Sequence, residues 1–130
     1  MAFLDETGLA ELWSLINAKH ARFEIGYYAG TGTYGSDNKS SLTFTNEPKM
    51  VFITSLHPSD QTGNFYCEAV LDWTALKVNS GKQKIVYNLR SNQLYVTLSN
   101  NNKTINWHCT QSASGQMNAN GYQYQYTAIY

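Results

Sequence analysis

The sequence predicts a mainly β protein, an antiparallel β-sandwich of about seven strands preceded by one N-terminal α-helix. Three observations carry this. Residues 4–22 are the only stretch with helical periodicity, short runs beyond Phe23 alternate apolar with polar residues, and Gly/Asn/Ser/Pro clusters separate those runs at close intervals.

The helical stretch reads LDETGLAELWSLINAKHAR. Asp5 or Thr7 can cap its first turn with a side-chain oxygen, and Glu6 and Glu11 lie toward the positive end of the helix dipole. Leu9, Leu12, Ile16 and Phe23 fall at a/d-like spacing, with Ala10 and Trp13 beside them. A helix this short is marginal alone in water, so the stripe needs a cover. It can lie on its own sheet. Alternatively it can join copies of itself in a short parallel bundle at a three-fold axis, and the strict stripe favours the bundle, with Leu9, Leu12 and Ile16 as its interface. The sequence thus divides into a helix over 1–22, for trimerisation or attachment, and a sandwich domain over 23–130.

After Phe23 the period changes. GYYAGTGTYGSDNKSS reads as a strand end followed by a long loop. The strand candidates are SLTFT, KMVFITSL, NFYCEAVLDW, KIVYNL, QLYVTLS, TINWHCT and the terminal YQYQYTAI. In the last of these, Tyr122, Tyr124, Tyr126, Ala128 and Tyr130 share one face while Gln123, Gln125, Thr127 and Ile129 share the other. Exposed edge strands usually carry charge or proline, and this one carries neither. It is therefore expected inside the sheet, its tyrosine face in the core and Gln123, Gln125 and Thr127 against a neighbouring subunit.

Composition narrows the partners. The 130 residues hold nine basic and nine acidic side chains, which cancel, so the chain offers no net attraction for nucleic acid or an anionic membrane surface. Only 14% of residues are charged, and ten tyrosines with many Asn, Ser, Thr and Gln make up the polar surface. That composition suits pleated faces and the binding of neutral ligands. No run is long and apolar enough to insert in a membrane. The first residues lack the basic and apolar regions of a secretory signal, so folding in a cytoplasm is expected, with Cys67 and Cys109 as reduced core residues.

Reactive constellations are missing from the pattern. No nucleophile elbow, phosphate loop, paired-cysteine zinc spacing or HExxH occurs, and His20, His57 and His108 are scattered. No catalytic residue, metal or cofactor is expected. Binding residues are sought where an aromatic ring lies near amides and carboxylates. Asp72 with Trp73 at a strand end, Trp107 in TINWHCT, and Tyr34, Asp37 and Asn38 in the long loop meet that description. Trp107 also shares a face with Ile105 and Cys109, which places it in the core.

Three stretches carry a resemblance to a known family. LDETGLAELWSLINAK resembles the helix that precedes C-terminal modules of tail-fibre-like structural proteins from phages and prophages of Gram-positive bacteria. YAGTGTYGSDNKSSLTFTNEPKMVFI resembles the start of such a module, and INWHCTQSASGQMNANGYQYQYTAIY resembles its end, with a Trp-bearing strand, a Gln-Met-Asn turn and a Tyr-rich strand. At greater distance the pattern is similar to H-type lectin domains. The resemblance implies a non-enzymatic virion protein made in the bacterial cytoplasm. It would be a homotrimeric receptor-binding tip that recognises the host surface through carbohydrate and contacts other virion proteins through its helix. A capsid decoration or head-fibre protein, and a bacterial sugar-binding lectin, are the alternatives.

Overall fold

The computed structural model describes residues 5–20, 22–79, 86–88 and 94–130. Helix α1 spans Glu6–His20 and starts as expected, with Asp5 Oδ1 accepting the Gly8 amide at 2.8 Å. It ends before Phe23, which the a/d reading had placed on the helical stripe. Phe23 is instead the first residue of strand β1, Phe23–Ala29.

The other strands are β2, Ser40–Thr43; β3, Met50–Leu56; β4, Tyr66–Asp72; β5, Val86–Asn88; β6, Leu94–Ser99; β7, Thr104–Cys109; and β8, Gln123–Ile129. Eight strands are therefore described where about seven are expected, because Phe23–Ala29 is a full strand. A second helix, α2, Trp73–Asn79, follows β4 directly and starts at Trp73, which the sequence reading places at a strand end. The turn signals NSGKQ, residues 79–83, and RSNQ, residues 90–93, lie outside the described residues except for Asn79, the last residue of α2.

The strands form two antiparallel sheets, one in the order β1-β8-β3-β4-β5 and the other β2-β7-β6. Their inner faces build one core, which includes Phe44, Val51, Ile53, Leu71, Ile105, Trp107 and Tyr124. Alternation along each strand produces this, as β3 shows with Val51, Ile53 and Ser55 inward and their neighbours half-exposed. Strand β8 is internal, paired with β1 on one side and β3 on the other. Its tyrosine face turns inward as predicted: Tyr124 and Ala128 are buried and Tyr122, Tyr126 and Tyr130 pack against the core.

One cysteine departs from expectation. Cys109 is buried, but Cys67 is exposed, and neither is in a disulfide. The cause is a register shift in the β3–β4 ladder between Ile53 and Thr54, where Ile53 pairs with Ala69 and Thr54 with Cys67. The extra residue, Glu68, inverts the inside–outside phase of the strand from there on. Glu68 is buried in the place strict alternation denies it, and the Ser55 hydroxyl donates to its carboxylate.

The two outer faces differ. On the three-stranded sheet the outward positions are polar, including Ser41, Thr43, Thr97, Ser99, Thr104 and Asn106. On the five-stranded sheet they are largely apolar. Phe23 pairs with Ile129, which pairs with Met50, and Ile25 pairs through Thr127 to Phe52 and Val70. Helix α1 forms no packing interface with either sheet among the described residues.

Candidate functional site

At the end of β1 away from α1, the loop of residues 30–39 folds over the strand β7 side of the sandwich. Two side chains from the 116–118 turn hold it there. Gln116 is fully buried; its Oε1 accepts the amides of Gly35 at 2.9 Å and Cys109 at 3.0 Å, and its Nε2 donates to Asn38 O and Ser40 Oγ. Asn118 Oδ1 accepts the Thr31 amide at 2.9 Å, while its Nδ2 donates to Thr31 Oγ1 and to Thr33 O. Between them Met117 has φ of 57° and is itself buried in the core. A left-handed residue is uncommon outside glycine, and here it lets two neighbouring amides turn to the same loop.

These contacts frame an open cleft of about 340 Å3 lined by Tyr28, Thr31, Thr33, Asn38, Lys39, Ser40, Ser41, Trp107 and Asn118. Hydroxyls and amides dominate the lining, and Lys39 is its sole charged side chain. Tyr28 stacks on Tyr124 at 4.9 Å and meets Trp107 edge-on at 6.3 Å. Its hydroxyl donates to Met117 O at 2.9 Å. Burial, then the nearby Tyr124 and Glu68, pushes the Tyr28 hydroxyl far above the usual tyrosine range, so it stays a neutral donor. His108, one residue past Trp107, is held below the usual histidine range by burial and then by the Lys39 charge.

The residues singled out by sequence divide between this place and others. Asn38 and Trp107 line the cleft. Trp107 is only 2% exposed and donates Nε1 to Gln116 O at 2.7 Å, so it forms the wall and offers little ring face. Tyr34 is exposed in the same loop, where its carbonyl accepts Asn38 Nδ2, and Asp37 is exposed beside them; neither lines the cleft. Asp72 and Trp73 are elsewhere. Asp72 Oδ1 caps α2 by accepting the amides of Thr74 and Ala75, and Trp73 is buried against Phe44 with Nε1 donated to Asn102 O at 2.8 Å. Their pairing in sequence therefore reflects a helix cap and a core anchor.

Of the expected interface residues, Leu9, Leu12 and Ile16 are exposed on α1, at 57%, 42% and 36%. Gln123, Gln125 and Thr127 lie on the outer face of the five-stranded sheet. Sequence reading missed Gln116 and Asn118 as the supports of the cleft. The available signal was two amides flanking an apolar residue in a turn, a pattern that serves ordinary loops equally well.

Among the described residues no three His, Cys, Asp or Glu side chains converge as a metal site would require. No helix among them is long and apolar enough to cross a membrane. Comparison with family models, curated proteins and solved structures returns no match to this chain.

Proposed function

We propose that this chain is a non-enzymatic structural protein of a phage or prophage virion, a homotrimeric tail-fibre or receptor-binding tip whose cleft binds neutral carbohydrate on the host surface. The observation that carries the reading is the placement of α1 and the cleft at opposite ends of β1. The helix joins at Phe23, while Tyr28 and Thr31 belong to the cleft. Seven residues of strand separate attachment from recognition by roughly 20 Å.

The cleft chemistry supports the ligand class. Hydroxyl and amide groups on a pre-held loop can exchange hydrogen bonds with sugar hydroxyls, and the low charge of the lining suits an uncharged ligand. A capsid decoration or head-fibre role is the second reading. The exposed apolar stripe of α1 favours it, since a helix of this kind can dock on a particle as well as on its own copies.

A glycan array probed with the intact chain and with Thr33→Trp, in the exposed loop that lines the cleft, tests the recognition reading. Wild type is expected to retain a subset of neutral glycans, and the cleft-filling variant is expected to lose them while keeping its thermal melt. Absence of glycan binding by wild type, or binding that survives Thr33→Trp, overturns the cleft's assigned role.

A further inference from the structure

We propose that Asn120 and Gly121 form a site of spontaneous covalent modification, a deamidation that ends in isoaspartate, and that this change unfastens the loop of residues 30–39 from the turn that holds it. The inference is independent of what occupies the cleft.

Asn120 and Gly121 are the only Asn-Gly pair in the chain. They are the central residues of a tight turn closed by the Tyr122 amide, which donates to Ala119 O at 3.2 Å, and both are exposed. Gly121 has φ of 82°, a conformation that a side chain resists, so the fold itself calls for glycine there. The same glycine leaves its amide nitrogen unshielded by a β-carbon. Among the described residues the Asn120 carboxamide has no hydrogen-bond partner. Asn118 provides the contrast, because its Oδ1 and Nδ2 are committed to Thr31 and Thr33 and the residue after it is Ala119.

The chemistry needs only water. The Gly121 nitrogen, having lost its proton to solvent, attacks Asn120 Cγ; the N–Cγ bond forms, the Cγ–Nδ2 bond breaks and ammonia leaves, which closes a five-membered succinimide. Water then opens the ring at either carbonyl. Addition at Cγ gives aspartate, whereas addition at the main-chain carbonyl gives isoaspartate, in which the backbone runs through Cγ. Amide and water have become acid and ammonia, with no change of oxidation state.

The turn is also the anchor of the loop. Asn118 O accepts the Gly32 amide at 2.7 Å on one side of the pair, and Tyr122 O accepts the Gly30 amide at 2.9 Å on the other. The two segments touch without slack. A β-carbon on Gly30 would overlap Ala119 O, and one on Gly32 would lie 3.2 Å from Asn120 Cβ. An isoaspartyl link adds a carbon to the main chain between the two acceptors, a bond of about 1.5 Å, so both cannot keep their loop amides in place.

The test ages the intact protein in mildly alkaline buffer and compares it with fresh protein and with Asn120→Ser, which lacks the carboxamide and cannot close the ring. Peptide mass spectrometry should find the amide-to-acid mass gain at residue 120 ahead of every other asparagine, and an isoaspartyl methyltransferase should label the same peptide. Hydrogen exchange should show lost protection at Gly30 and Gly32 in aged wild type, with β3 unchanged, while aged Asn120→Ser keeps the pattern of fresh protein. An unconverted residue 120 overturns the site. Isoaspartate at 120 with unaltered exchange at Gly30 and Gly32, or equal loss of protection in aged Asn120→Ser, overturns the unfastening.

Discussion

Gly26 in β1 and Tyr126 in β8 are direct cross-strand partners, and the phenol ring of Tyr126 occupies the space that a β-carbon on Gly26 would need. The ring covers a glycine that would otherwise leave a gap in the inner face and stands edge-on to Phe44, with centroids 5.7 Å apart. Gly26→Ala is therefore expected to displace Tyr126 and destabilise the fold by about 1–3 kcal/mol. Tyr126→Ala should also cost stability, and the double variant should lose less than the sum. Chemical denaturation of the four proteins reads this coupling, and simple additivity would show that the ring relaxes without strain.

The cleft depends on two buried amides far from the loop they hold. Gln116→Leu leaves the amides of Gly35 and Cys109 without their acceptor, and Asn118→Ala removes the bonds to Thr31 and Thr33. Each should destabilise by about 1–3 kcal/mol. Hydrogen exchange should accelerate at Thr31 and Gly35 more than at β3. Uniform acceleration would mean the loop has no separate dependence on these side chains.

Acid and alkali should act at different points. The Tyr130 hydroxyl, and then the Thr45 amide and hydroxyl, hold Glu24 below the usual glutamate range. A depressed carboxylate contributes fully above its unfolded value near ~4.3 and loses that contribution as pH falls through the folded value. Because Glu24 is half-buried and still screened by solvent, the effect should be about 1 kcal/mol or less. Thermal melts between pH 7 and 3 should thus fall less steeply for Glu24→Gln. At the other end, burial raises Tyr28 and Tyr130, so their contribution is complete below ~10 and declines as pH rises above it. Equal acid slopes for wild type and Glu24→Gln would remove Glu24 from the balance.

The two thiols should differ in reactivity. Cys67 is exposed and Cys109 is fully buried, so a thiol reagent should label one group quickly in the native protein and the second only after unfolding. Cys67→Ser should abolish the fast phase. Two fast thiols, or none, would contradict the bulge that turns Cys67 outward.

Phase is the reason some positions were legible before the structure and others were not. The tyrosine face of β8 follows directly from a two-residue period, as do the inward Ile105, Trp107 and Cys109 of β7. Cys67 obeys the same rule in sequence and breaks it in space, because one inserted residue at Glu68 resets the alternation, and neither residue type announces a bulge. Asp72-Trp73 looked like a sugar-binding pair for a related reason. A carboxylate beside an aromatic ring has the same local signature when it caps a helix over a core anchor.

By itself the sequence determined the strand-rich class, the helix with its Asp5 cap, the inward tyrosines of β8 and that strand's place inside a sheet, because each depends on short-range periodicity or on what an exposed edge can tolerate. Only the tertiary structure decided where the cleft lies and which outer face is polar and which largely apolar. Thr31 and Asn118 stand 87 positions apart and meet because β1 and β8 are neighbours. The apolar band across Phe23, Ile129 and Met50 exists only once three separated strands are in register. Such long-range placement comes from closing loops against a shared core, a global free-energy balance that no local pattern encodes.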